Sequence, residues 1–220
     1  MNSATQVLTL DGPAGAIDVA IDRPSGAPVG IALIAHPHPL FGGTRDNKVA
    51  QTLARALVRS GRICWRPNFR GVGDSHGTHD EGRGETDDLL AVIDAAREDA
   101  AAAGLASVDP LLAGFSFGAF VQTRVGAALA ARGEPPGPMA LIGPAVSRFE
   151  VASVPADSLV VHGELDELVP LAAVFDWARP QSLPIVVVPG ADHFFHRRIV
   201  LLTRIVQSWL AGRDAAGANH

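Results

Sequence analysis

The segment Leu111-Leu112-Ala113-Gly114-Phe115-Ser116-Phe117-Gly118-Ala119 constrains the chain more than any other. An apolar run leads into Gly-x-Ser-x-Gly. A helical pattern follows, with Phe120, Val121, Val125, Ala128 and Leu129 at helical spacing up to Gly133. A strand that becomes a helix across so short a turn brings the two backbones close, and a Cβ at Gly114 or Gly118 would collide. The fold must therefore hold this strand in a sheet with its helix packed back on it. Ser116 is left at the apex, above the free N–H groups of a helix start.

The same pattern occurs again at Gly73-Asp74-Ser75-His76-Gly77. With 23 glycines among 220 residues, the pattern alone carries little weight. Context separates the two copies. The second follows the strand Ile63 to Asn68 only after a glycine-rich gap. It runs into Thr78-His79-Asp80-Glu81-Gly82-Arg83-Gly84, which has no helical periodicity. It reads as a loop, and Ser116 rather than Ser75 is the candidate nucleophile.

The rest of the chain alternates. Candidate strands Gln6 to Leu10 and Ala16 to Ile21 flank the turn Asp11-Gly12-Pro13. Val29 to Ala35 is a continuous apolar run stopped by His36-Pro37, as in a buried parallel strand. Asn47 to Ser60 is helical, with Val49, Leu53, Ala54, Leu57 and Val58 on one face. Thr86 is expected to cap a helix reaching about Ala103, with Asp87 and Asp88 in its first turn. Strands are expected at Met139 to Ile142, Leu159 to His162 and Ile185 to Val188. Helices are expected at Pro170 to Arg179 and His196 to Leu210, with residues 212–220 as a frayed tail. This is an α/β pattern: one domain over residues 1–220, with a mainly parallel sheet and helices on both faces.

A serine hydroxyl needs a base, and the base needs an orienting acid, both at the ends of later strands. The strand ending at His162 runs into Gly163-Glu164-Leu165-Asp166. The strand ending at Val188 runs into Pro189-Gly190-Ala191-Asp192-His193. Asp166 is preferred as the acid, with Glu164 its rival. His193 is preferred as the base over His196, which the pattern places at a helix start. Asp192 adjoins His193 and cannot orient it, so it reads as a loop residue. The loop His36-Pro37-His38-Pro39-Leu40-Phe41-Gly42-Gly43-Thr44 should supply an oxyanion donor. Pro37 and Pro39 have no N–H, which leaves His38 or Leu40. His36 and His38 could suggest a metal pair, but no third ligand has a matching spacing, so neither metal nor cofactor is expected.

Composition narrows the partners. The formal charge is −5 with no basic tract, which disfavours nucleic acid. No apolar run has the length of a membrane span. Met1 to Gln6 carry neither a basic nor an apolar stretch, so a cytoplasmic protein without a signal peptide is expected. The single Cys64 excludes an internal disulfide and reads as a core thiol. The sequence does not fix the oligomeric state.

The motifs HPHPLFGGT at 36–44, NFRGVGDSHG at 68–77, GFSFGA at 114–119, HGELDELVP at 162–170 and GADHFF at 190–195 together resemble the α/β-hydrolases. Within that superfamily the chain is similar to the small lidless bacterial hydrolases, from about Val29 to Leu210. The resemblance implies Ser116, Asp166 and His193 as a triad, with the Phe117 N–H as one oxyanion donor. It implies His38 as the other, with Leu40 open because Pro37 departs from the glycine of related loops. Arg70-Gly71-x-Gly73 would be a structural turn. Gly143 to Asp157 is too short for a cap, so the site should be open. Its walls would be Leu40, Phe41, Phe115, Phe117, Phe194 and the 143–157 loop. The implied activity is serine hydrolysis of an ester or related acyl bond in a small molecule, through an acyl-enzyme. Thioesters and lactones are alternatives, as is an inactive binding protein on the same fold.

Overall fold

The computed structural model describes residues 5–105, 109–134 and 136–217. Among these residues eight strands form one sheet: β1 (Gln6–Gly12), β2 (Gly15–Asp22), β3 (Gly30–Ala35), β4 (Arg62–Pro67), β5 (Leu111–Phe115), β6 (Met139–Ile142), β7 (Leu159–Gly163) and β8 (Ile185–Val188). Their order is β1-β2-β4-β3-β5-β6-β7-β8. The β1–β2 and β2–β4 pairs are antiparallel, and every later pair is parallel. β3, β5, β6 and β7 are buried throughout, which is why they read as unbroken apolar runs.

Among the described residues five α-helices cover the sheet: α1 (Lys48–Arg59), α2 (Arg83–Ala102), α3 (Phe117–Ala131), α4 (Leu171–Ala178) and α5 (Ile199–Gly217). On one face Leu53 and Leu57 of α1 and Leu202 and Val206 of α5 pack with Ile34, Ala113 and Val161. On the other, Leu89 and Ile93 of α2, Val121 and Val125 of α3 and Val174 of α4 pack with Leu33, Leu112 and Val160. Successive parallel strands with crossover helices put every βα loop at one end of the sheet, where the site lies.

Three helix boundaries differ from the expected ones by three residues or more. α2 begins at Arg83, not at Thr86. The buried Glu85 carboxylate caps it, accepting from the N–H groups of Gly82 and Asp80 at 2.9 Å each. The Thr86 hydroxyl donates to the Gly82 carbonyl at 2.6 Å from inside the first turn. α5 begins at Ile199 rather than His196, because Phe195 and Arg197 take positive φ (55° and 60°) and break the helix there. α5 then runs through Gly217, so residues 212–217 are helical rather than frayed. Trp209 Nε1 donates to the Asp157 carbonyl at 3.1 Å and Arg213 pairs with the Asp157 carboxylate, which ties this end down. The last three residues of the expected tail, 218–220, lie outside the described residues.

Candidate active site

Sterics build the turn around Ser116. A Cβ on Gly114 would lie 2.5 Å from the Gly118 carbonyl oxygen, and one on Gly118 would lie 2.3 Å from that of Ala35. The compression leaves Ser116 at φ 56°, a conformation unusual for a residue with a side chain, and its N–H donates to the Ile142 carbonyl at 2.9 Å. The hydroxyl therefore stands out at the start of α3, between β3 and β6.

The loops after β7 and β8 are drawn together in the same way. A Cβ on Gly163 would lie 2.5 Å from the Ala191 carbonyl oxygen. The Leu165 N–H donates to that oxygen at 2.9 Å, and the Gly190 N–H donates to Glu164 Oε2 at 2.8 Å. Glu164 is thus a clasp between the loops. Asp166 faces the other way, with its Oδ2 2.6 Å from His193 Nδ1, while His193 Nε2 lies 2.9 Å from Ser116 Oγ. Asp166 Oδ1 accepts from the N–H groups of Leu168 and Val169 at 3.0 and 2.8 Å. Burial pushes the Asp166 carboxyl upward. The hydrogen bonds from His193 and Val169 outweigh burial and hold it below the usual carboxylate range. With Asp166 ionised, His193 carries its proton on Nδ1 and leaves Nε2 free to accept from Ser116.

The rival residues have other partners. Ser75 Oγ accepts from the Asp18 N–H and donates to the Asn68 carbonyl, both at 2.9 Å, so it is buried in the 68–77 turn. His196 Nδ1 pairs with Asp192 Oδ2 at 2.6 Å on the exposed surface. His36 is fully buried. Its Nδ1 donates to the Pro37 carbonyl at 2.7 Å and its Nε2 accepts from the Phe69 N–H at 2.9 Å, so both ring nitrogens are engaged. Burial pushes His36 down to about 4, which keeps it neutral. Cys64 is buried in β4.

A pocket of about 300 Å³ opens at Ser116 and His193. Its walls include Phe41, Phe117 and Phe194, as expected from the sequence. They also include Arg148 and Phe149 from the 143–157 loop, and Asn47, Leu168 and Val169, which sequence reasoning did not single out. Two expected wall residues are not part of it. Phe115 is fully buried, its ring centroid 4.9 Å from that of His193, so it supports the imidazole from below. Leu40 is 69% exposed and off the lining, and its N–H donates to His38 Nδ1 at 3.3 Å. The His38 ring packs against Phe41, His79 and Phe117. Burial, then the charges of His79 and Arg148, lower its pKa against the opposing pull of Glu85. His79 Nδ1 in turn lies 2.9 Å from Glu85 Oε1.

Comparison with known proteins decides the family. A protein of Xanthomonas campestris described as a member of the α/β serine hydrolases without a lid is 38% identical. The match covers 96% of this chain and 95% of that one, with a TM-score of 0.85. The chain belongs to the lidless α/β serine hydrolase family. An α/β serine hydrolase homologue from Coxiella burnetii is 37% identical, covering 92% of this chain and 96% of its own, with a TM-score of 0.77. An uncharacterised protein of Rickettsia prowazekii is 30% identical over 213 residues, 91% of this chain and 86% of its own. No family model matches the sequence.

In this lidless hydrolase the segment between β6 and β7, where a cap would be inserted, contains no helix. It contributes only Ala145, Arg148 and Phe149 to the pocket wall. Among the described residues no helix is long and apolar enough to cross a membrane.

Proposed function

We propose that this lidless hydrolase is a carboxylic ester hydrolase working through an acyl-enzyme on Ser116. The observation that carries the reading is the unbroken chain of short contacts from Ser116 Oγ through His193 to Asp166. Ser116 Oγ attacks the acyl carbonyl carbon while His193 Nε2 takes its proton. The ionised Asp166 holds Nδ1–H in place and stabilises the imidazolium that forms. The carbonyl oxygen gains negative charge and is received by backbone N–H groups. That of Phe117 opens α3 and has no acceptor within the helix. The Leu40 N–H is occupied by His38 Nδ1, which favours the His38 N–H as the second donor. The imidazolium then protonates the leaving alcohol, and water repeats the sequence to release the acid.

A panel of 4-nitrophenyl esters of rising chain length tests this. The wild-type chain is expected to hydrolyse the short esters that a pocket of about 300 Å³ admits. Ser116→Ala is expected to lose roughly 10⁵- to 10⁶-fold in kcat. A wild-type chain inert to the whole panel would favour a binding protein on the hydrolase fold. An active Ser116→Ala variant would place the chemistry elsewhere.

A further inference from the structure

The pocket wall carries one arginine, Arg148, and no carboxylate. Other arginines are held by aspartates: Arg45 by Asp18, Arg66 by Asp22 and Arg70 by Asp88. Arg148 makes no ion pair among the described residues. Its guanidinium carbon lies 6.0 Å from the centroid of the Phe41 ring, which keeps the cation at the pocket mouth without neutralising it. Its charge reaches inward, since it opposes protonation of the His38 ring. The remaining wall is mostly apolar, with Phe117, Phe149, Leu168 and Phe194. A guanidinium without a counter-ion beside an apolar pocket matches a substrate with an apolar body and an anionic end. In a chain of formal charge −5, that local positive charge stands against the overall field.

We infer that Arg148 selects esters bearing a carboxylate remote from the scissile acyl bond. The inference rests on the ester-hydrolase reading above and names its substrate class. The guanidinium donates to the carboxylate while the apolar walls hold the linking carbons and Ser116 meets the carbonyl. Arg148 is exposed, so the pair's contribution is modest and falls with salt.

Two matched ester pairs test this. One places the charge on the acyl side: 4-nitrophenyl hydrogen adipate against its methyl ester. The other places it on the leaving group: 4-acetoxybenzoate against its methyl ester. In at least one pair the wild type is expected to favour the carboxylate by about three- to tenfold in kcat/KM, mainly through KM. Arg148→Gln is expected to collapse that ratio and Arg148→Lys to restore part of it, and 0.5 M salt should reduce it in the wild type. A merely structural arginine would move both members of a pair together and leave the ratio unchanged. No carboxylate preference in either pair, or a preference that Arg148→Gln keeps, overturns the inference. Labelling of Ser116 by a neutral fluorophosphonate is followed in parallel. Its presence with an unchanged ratio refutes the role of Arg148 alone, whereas its absence removes the serine chemistry on which that role depends.

Discussion

Asp192 Oδ2 lies 2.6 Å from His196 Nδ1, the same separation as between Asp166 Oδ2 and His193 Nδ1. The two histidines stand three residues apart in sequence, and among the described residues the second one's other nitrogen has no serine partner. The first pair is buried and ends on Ser116, whereas the second is exposed to solvent. His193→Gln is therefore expected to remove ester hydrolysis almost completely, by several orders of magnitude in kcat. His196→Gln should stay within about twofold of wild type, because an exposed pair contributes little. Steady-state kinetics of the two variants with a 4-nitrophenyl ester measure this, and an active His193→Gln would refute the assigned base.

The carboxylates of the β7 loop divide their work by direction. Asp166→Asn is expected to lower kcat by about 10³- to 10⁴-fold with little change in KM, since an amide cannot stabilise the imidazolium and favours the wrong tautomer. Glu164→Gln should be mild, because its partner is the Gly190 N–H and an amide oxygen can still accept that bond. Parallel kcat and KM measurements decide between them. A larger loss of kcat in Glu164→Gln would make Glu164 the acid.

Much of this arrangement was legible in the sequence. Ser116 could be placed because the strand, the glycines and the helix leave one steric solution, and the clashes at Gly114 and Gly118 are those expected. The buried strands were readable because both of their faces are covered. Side-chain direction in loops was less accessible. Nothing local to Phe115 tells that it turns under His193 instead of into the pocket, or that Leu40 turns out to solvent. The start of α2 was misjudged because its cap is Glu85, reaching back from inside the helix, while Thr86 looks like the better local cap. Leu168 and Val169 lay within a recognised motif, but their place in the wall depends on the turn that Asp166 makes.

His36 predicts how acid acts on the fold. Its pKa falls from the ordinary 6.5 to about 4 through burial. Between those values the unfolded chain binds a proton at this site and the folded chain does not, so stability rises with pH across that window. The full benefit is present above 6.5 and is lost as pH falls toward 4, with a span of about 3 kcal/mol from this group. Urea unfolding at steps from pH 7 to pH 4 should show that slope, and His36→Gln should flatten it. An unchanged slope in the variant would mean that other groups carry the acid sensitivity.

Peptide mapping by mass spectrometry after treatment with a neutral fluorophosphonate tests the proposed nucleophile most directly. The reagent phosphonylates a serine only where a base removes its proton as it attacks. The expected result is one adduct per chain on the peptide containing Ser116, with the Ser75 peptide unmodified. An adduct on Ser75, or an intact chain without any adduct, would contradict the assignment of Ser116, His193 and Asp166 as the reacting unit.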